Sequence, residues 1–338
     1  MPIGTGGFPG TATSYPNPPG VNTTSANPTA TLQGTGFIPE IWSGKLVEKF
    51  YASTVLAAIS NTDYEGEIKN KGDRVKIRTK PTINIYDYTA DSLLGLDRPV
   101  GGTVELYINN GKYFSLILDD VYEIQSDLNL LSMWSDDAAQ QLKITVDRDV
   151  LRGLLDTADS HNRGATTAGV ISGSVHLGVS GAPLSVVGRN PGAGDVELLD
   201  VLMRLGQVLD EQNIPEEGRW VVLPSWAGRM IKQSELRQAY LSGDSVSMLR
   251  NGRLGMVDRF TIYVSNLLPQ GTAAGLASGN WPIYAGHAHA LTFASQISKV
   301  ETLRSELTFG QILRGLQVYG YQVVDGKALA QAIVIPNS

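Results

Sequence analysis

The residues able to do chemistry in this chain are few and scattered. Its 338 residues include four histidines, His161, His176, His287 and His289, and no cysteine. Thiolate nucleophiles, disulfides and cysteine metal sites are therefore excluded. His287 and His289 stand two apart, so on a strand they would share a face and could offer two imidazoles to a metal. No acidic residue lies near them in sequence, and two ligands make an incomplete site. A pair of histidines satisfied by hydrogen bonds is the simpler reading. The glycine-rich segment Gly4–Gly10 lacks the Lys-Ser/Thr of a phosphate-binding loop, and no strand precedes it. Gly188–Gly194 precedes a helical pattern, where backbone amides could hold an anion. It lacks a βαβ context, so it reads as a loop. There is no Gly-x-Ser-x-Gly nucleophile elbow. The acidic pairs Asp119-Asp120 and Asp136-Asp137 fall on or beside a solvated helix and read as surface charge. The expectation is a chain with no catalytic residue, no cofactor and no metal.

Composition narrows the class further. Charged residues are 18% of the chain, below the roughly 25% of an ordinary soluble domain. Glycine is abundant, with 37 copies, so loops and turns should be many. The net charge of −6 disfavours direct recognition of duplex nucleic acid, which calls for a basic surface. No apolar run reaches the roughly 18 residues that would cross a membrane. The first residues lack the basic-then-apolar pattern of a secretory signal, so the expectation is a protein made and used without export.

The elements that such residues must be mounted on are more informative. Residues 1–36 carry Gly, Pro, Ser and Thr and no charge. They could not offset their ordering entropy alone. They read as an extended arm along a neighbouring surface, with a disordered tail as the alternative. Ile38, Ile41, Leu46, Val47, Phe50, Val55 and Leu56 are spaced for a helix. In GDRVKIRTKP the residues alternate strictly: Val75 and Ile77 on one side, Arg74, Lys76, Arg78 and Lys80 on the other. The return segment alternates Val104, Leu106 and Ile108 before Asn110-Gly111, a hairpin-turn pair. Residues 65–118 thus read as a long β-arm.

From Val121 to about Asp159 the period changes to three and four, through Leu131, Ala138, Leu142, Val146, Val150 and Leu154. This predicts one helix of roughly 50–60 Å. A second helix is predicted with Asp195 as its N-cap, ending before Pro215. WVVLP reads as a buried strand, and PSWAGRMI as a helix with proline at its first turn. In GMVDRFTIYVSNLLP, Asp258 and Arg259 mark a turn, Phe260, Ile262 and Val264 share an inward face, and Pro269 ends the pairing. Trp281 to Arg304 reads as one long extended run, and Asp325-Gly326 as a turn between two strands. The class is α+β.

Charge is distributed unevenly. Residues 65–118 hold eight basic and seven acidic side chains, a balance of +1, while residues 119–159 hold ten acidic and three basic, a balance of −7. Four cations on one strand face repel one another unless something acidic covers them. The plain reading is that both faces are solvated. The sharper one is that Arg74, Lys76, Arg78 and Lys80 of one copy lie over Asp119, Asp120, Glu123 and Asp127 of the next.

In this order of parts the chain resembles the major capsid (coat) proteins of tailed bacteriophages, with the fold first described for phage Hong Kong 97. The phrases WVVLPSWAGRMI, GMVDRFTIYVSNLLP, YAGHAHALTFASQISKVETLR and RGLQVYGYQVVDGKALAQAIV are similar to the corresponding stretches of such proteins. The resemblance implies an extended N-terminal arm at 1–36, an N-terminal helical segment of a peripheral domain at 37–60 and a β-hairpin E-loop at 61–118. It further implies a spine helix and peripheral domain at 119–194, an axial domain at 195–287, a long peripheral strand at 288–314, and C-terminal axial strands at 315–338. The implied function is self-assembly, through hexamers and pentamers, into the icosahedral shell around a double-stranded DNA genome. The implied partners are further copies of the chain, a portal, a separate scaffolding protein, a cement or decoration protein, and packaged DNA touched non-specifically. An acidic inner wall would let that DNA slide. The implied place is the virion, after assembly in the bacterial cytoplasm, with no membrane. A nanocompartment (encapsulin-like) shell around a cargo enzyme is the alternative within the same fold. An enzyme with an unrecognised site and a tail-tube protein fit the pattern less well.

Overall fold

The computed structural model describes residues 51–63, 74–81, 83–88, 90, 95–121, 129–234, 255–306 and 308–337. All lie in one of the chain's two compact units, Glu48–Ser338. The other unit, Met1–Val47, lies outside the described residues, and with it the expected arm and most of the expected first helix. In chain order the elements are α1 (Leu56–Ile59), β1 (Arg74–Arg78), β2 (Thr103–Tyr107), β3 (Asn110–Asp119) and α2 (Leu130–Gly153). There follow β4 (Leu184–Val187), β5 (Asp195–Glu197), α3 (Leu198–Glu211), β6 (Arg219–Leu223), α4 (Ser225–Gln233), β7 (Met256–Val257) and β8 (Phe260–Val264). The last strands are β9 (Trp281–His287), β10 (Leu291–Arg304), β11 (Gly310–Val323) and β12 (Leu329–Pro336). The class is α+β, as the sequence indicates.

Strand β6 organises the larger sheet, whose order is β5-β4-β12-β9-β6-β8-β7. All five of its residues are buried, and an apolar strand without polar alternation requires cover on both faces. Val221 and Leu223 join a cluster with Leu198, Val201, Leu202, Leu205, Val208 and Leu209 of α3 and Ala227, Met230 and Ile231 of α4. Trp220 and Val222 point the other way. They join Ile144, Val146, Val150, Leu151 and Leu154 at the end of α2, with Leu56 and Ile59 of α1. One strand therefore bonds two helical layers through its alternating side chains.

The opening turn of the β7–β8 hairpin is made by Asp258 (φ 47) and Arg259 (φ 66). Two successive left-handed residues define a two-residue hairpin turn whose usual occupants are Asn and Gly. Here Arg259 is held by Glu216 Oε1 at 2.6 Å and Asp210 Oδ2 at 2.9 Å, which compensates the backbone cost of a non-glycine residue. Phe260 faces the α3 cluster as expected; Tyr263, on the opposite face of β8, packs against the α2 cluster.

The second sheet has the order β10-β11-β3, all antiparallel. Its inner face meets α2, where Asp149 accepts from the Tyr319 hydroxyl at 3.2 Å and pairs with Lys112 at 2.5 Å. The third sheet is the pair β1–β2. Ile77, Leu106 and Ile108 root this arm on Ala294 of β10. Gly320 of β11 permits the crossing, because a Cβ there would stand 2.1 Å from the Tyr107 carbonyl oxygen.

Several expectations are corrected. Asn110-Gly111 is no hairpin turn: Asn110 opens β3, which leaves the arm and pairs with β11 from Tyr319 to Gly310. The long helix is shorter than its period implied. Asn129 caps it by accepting from Ser132 N at 3.3 Å, and it stops at Gly153 before Asp156, whose φ of 59 no helix continues. Residues 122–128 lie outside the described set. Asp195 is not an N-cap; it sits in β5 and accepts from Ser185 Oγ at 2.6 Å, and α3 starts after Glu197. The extended run from Trp281 is broken by a turn at 288–290, so β9 serves the large sheet and β10 the three-stranded one. Residues 310–323 also lie in the three-stranded sheet, and of the last 24 residues only β12 joins the large one. Of the first helix, the described part contains a single turn, α1.

Leu151 is fully buried where α2 meets the β6 layer. Leu151→Ala should lower the unfolding free energy by about 2–5 kcal/mol, read as a shift of the urea midpoint. A loss under about 1 kcal/mol would mean that this layer does not carry the fold.

Candidate assembly surfaces

The groups expected to lack chemistry are held in place by the fold. His287 ends β9 and His289 lies in the following turn, where its amide donates to His287 Nδ1 at 3.1 Å. The two rings do not share a strand face, and the two-imidazole geometry is not formed. Among the described residues no cluster of three or more His, Asp or Glu side chains is arranged to hold a metal, and no helix is long and apolar enough to cross a membrane.

The basic strand face is partly neutralised within the chain. Glu105 of β2 stands directly opposite Lys76, at 3.3 Å, with Arg74 at 3.6 Å. Hydrogen bonds from Tyr107 and then Lys76 hold its carboxyl below the usual range. On the acidic side, Asp120 pairs with Arg304 of β10, and Asp119 is half-buried in the β3–β11 ladder. Arg78, which ends β1, and Lys80, two residues beyond it, are both exposed. Glu123 and Asp127 lie outside the described residues. Two cations of the expected set therefore have an acidic cover from their own sheet, and the expected contact reduces to Arg78 and Lys80.

Beyond these cations the arm carries what charge counting missed. Between β1 and β2 it exposes Ile83, Ile85, Tyr86, Tyr88, Leu96 and Val100, with Ile85 at 90% and Leu96 at 94% of full exposure. An isolated exposed apolar residue is ordinary, whereas six on one extension mark an interaction surface. The signal was present in INIYDY, an apolar run between charges that belongs to no amphipathic helix.

A second surface lies between β3 and the first half of α2. Tyr113, Phe114, Leu116, Ile117, Trp134, Ala138 and Leu142 line an open groove of about 770 Å³. Among the described residues the apolar stripe of α2 is buried only from Ile144 onward, and β3 is the edge strand of its sheet. Asp137, also in the groove's lining, accepts from the Tyr51 hydroxyl at 2.7 Å.

A third feature is the tip around Ile171, itself 81% exposed. Glu211 at the end of α3 accepts from Ile171 N at 2.8 Å and Ser172 N at 3.1 Å. Burial pushes its carboxyl up, but those amides, with Gln207 and the Ser172 hydroxyl, bring it down to about 2.

These surfaces are those of a subunit made to be covered by others. The chain belongs to the phage capsid protein family, whose model matches residues 106–332. A chain from Mycobacterium phage Che8 is 26% identical and superposes with a TM-score of 0.69 over 87% of this chain and 96% of that one. The capsid of cyanophage P-SCSP1u, at 14% identity, gives 0.67 over 90% and 94%. The capsid of a native GTA particle, at 11%, gives 0.64 over 92% and 99%. No curated protein matches the chain by sequence. The fold is the Hong Kong 97-type capsid fold, and the chain is a major capsid protein, a structural component of the virion shell. The family match and these neighbours favour the phage shell over the nanocompartment alternative.

Because the Glu211 carboxyl is depressed, its hold on the tip is complete above the ordinary carboxyl range and is lost as pH falls toward about 2. Amide exchange at Ile171 and Ser172, corrected for intrinsic rates, should stay flat from about pH 7 to 5 and accelerate below about pH 4. Glu211→Gln should remove that acid step.

Proposed function

We propose that copies of this chain assemble, as hexamers and pentamers, into an icosahedral shell that encloses double-stranded DNA, with the exposed arm as the main bond between neighbours. The observation that carries this reading is the row from Ile83 to Val100, presented to solvent on an arm whose root is packed against β10 and β11. Each such side chain buried between copies contributes about 1.5–3 kcal/mol, and several together suit an obligate interface. The groove between β3 and α2 is the matching apolar surface, and Arg78 and Lys80 would approach the acidic start of the helix region, Asp119, Glu123 and Asp127, on the next copy. An arm reaching in one direction gives the heterologous contact from which rings close.

On this reading the three-stranded sheet with α2 is the peripheral domain, the seven-stranded sheet the axial domain, residues 1–36 an arm along a neighbour, and the part of 61–118 that precedes β3 the E-loop. The chain performs no catalysis. A portal, a separate scaffolding protein and a decoration protein complete the set of partners, assembly takes place in the host cytoplasm, and DNA meets the acidic wall without sequence preference.

The test separates folding from assembly. Ile85→Asp with Leu96→Asp should leave the melting curve within about 1 kcal/mol of the parent, since surface changes rarely exceed that, and should abolish particles in sedimentation velocity. Arg78→Glu with Lys80→Glu should weaken assembly in a salt-dependent way. Particles formed at parental yield by the first variant would refute the arm's role.

A further inference from the structure

Asp147 is a carboxylate that nothing in shell building requires. It lies on the buried stripe of α2 between Ile144 and Val150 and is 1% exposed. No ion pair to it is formed among the described residues. Oδ2 accepts from Val55 N at 2.7 Å, and Oδ1 has no hydrogen-bond partner. A buried carboxylate without a cation is costly, and an apolar residue at such a place is often no less stable. Its position explains what it holds. Val55, Leu56 and Ile59 are buried beside it, Tyr51 donates to Asp137 one face further along the same helix, and Asn61 is bracketed by Leu291 O and Phe293 N of β10 at 2.8 and 2.9 Å. Residues 51–63 thus form a strap across α2 and the start of β10. At its two ends the chain continues into residues 1–50 and into the β-arm.

We propose that Asp147 is the latch by which α2 holds this strap, and that the strap opens and closes as a unit with the charge state of that one carboxylate. Burial raises the carboxyl's pKa, and the amides of Val55 and Leu56 only partly offset this. The docked strap is therefore most secure with Asp147 protonated, and loses that security as pH rises through the raised value. Other titratable groups on the surrounding elements are engaged or distant in charge. Lys143 and Arg148 are exposed on α2, Asp149 takes Lys112 and Tyr319, Tyr51 takes Asp137, and burial keeps the phenols of Tyr284 and Tyr319 neutral.

Hydrogen exchange of the full-length chain tests this at the amides of Ile59, Ser60 and Asn61, which donate to Val55 O, Leu56 O and Leu291 O, with β6 as internal reference. After correction for intrinsic rates, strap opening should rise by up to about tenfold per pH unit between the ordinary carboxyl range and the raised value, then level off, as one linked proton requires. Asp147→Asn keeps an acceptor and should abolish the pH slope. Asp147→Ala should open the strap by about tenfold or more at every pH, as expected for an orphaned buried amide, while β6 stays protected. A parental strap with no pH slope, or a slope that persists in the Asn variant, overturns the proposal.

Discussion

Everything in the described structure hangs on β6 being buried on both faces. Trp220 and Val222 reach the α2 layer while Val221 and Leu223 reach α3 and α4. A strand in that position cannot present polar residues on either side, and it fixes the distance between the layers at the reach of two side chains. The one ion it admits proves the constraint. Arg219 is fully buried, and it is tolerated because it donates to the carbonyls of Ile214 and Pro215 and pairs with Asp210 at 2.7 Å. Asp210 in turn holds Arg259 in the β8 turn, so the strand's charged end and the sheet's far hairpin share one carboxylate.

With the layers fixed, what remains outside them is the surface that the proposed assembly would cover. The second half of α2 is committed to the core, and its first half, with Trp134, is left beside the β3 edge. Among the described residues the arm is anchored at its root, through Ile77, Leu106 and Ile108, and its apolar residues from Ile83 to Val100 are exposed. A protein that functioned as a monomer would place such residues inside. On the proposed reading, assembly supplies the burial that folding leaves undone.

How much of this could be read in advance depended on whether the signal was local. Alternation in RVKIR and the spacing of α3 needed only neighbours along the chain, and both stand in the structure. The helix at 130–153 was legible by its period, but its start was set by Asn129 and its end by the turn at Asp156, details that periodicity averages away. Asn110-Gly111 has the composition of a turn, yet pairing with β11 across some two hundred residues decided its conformation. Three of the four cations, Arg74, Lys76 and Arg78, alternate along β1, Lys80 lies beyond its end, and the cross-strand partner Glu105 was invisible until the register of β1 and β2 was known. The apolar tip of the arm has no periodic pattern, because INIYDY mixes apolar residues with Asn84 and Asp87 and matches neither a helix face nor a buried strand. The chemistry of Asp147 depends on a strap ninety residues earlier in the chain, and no local pattern reports that.

Copies of this chain are proposed to cover one another's exposed arm and groove. Negative-stain electron microscopy of the purified chain under assembly conditions tests this directly. The account predicts closed icosahedral particles built of hexamers and pentamers; a monodisperse small oligomer under the same conditions would contradict it.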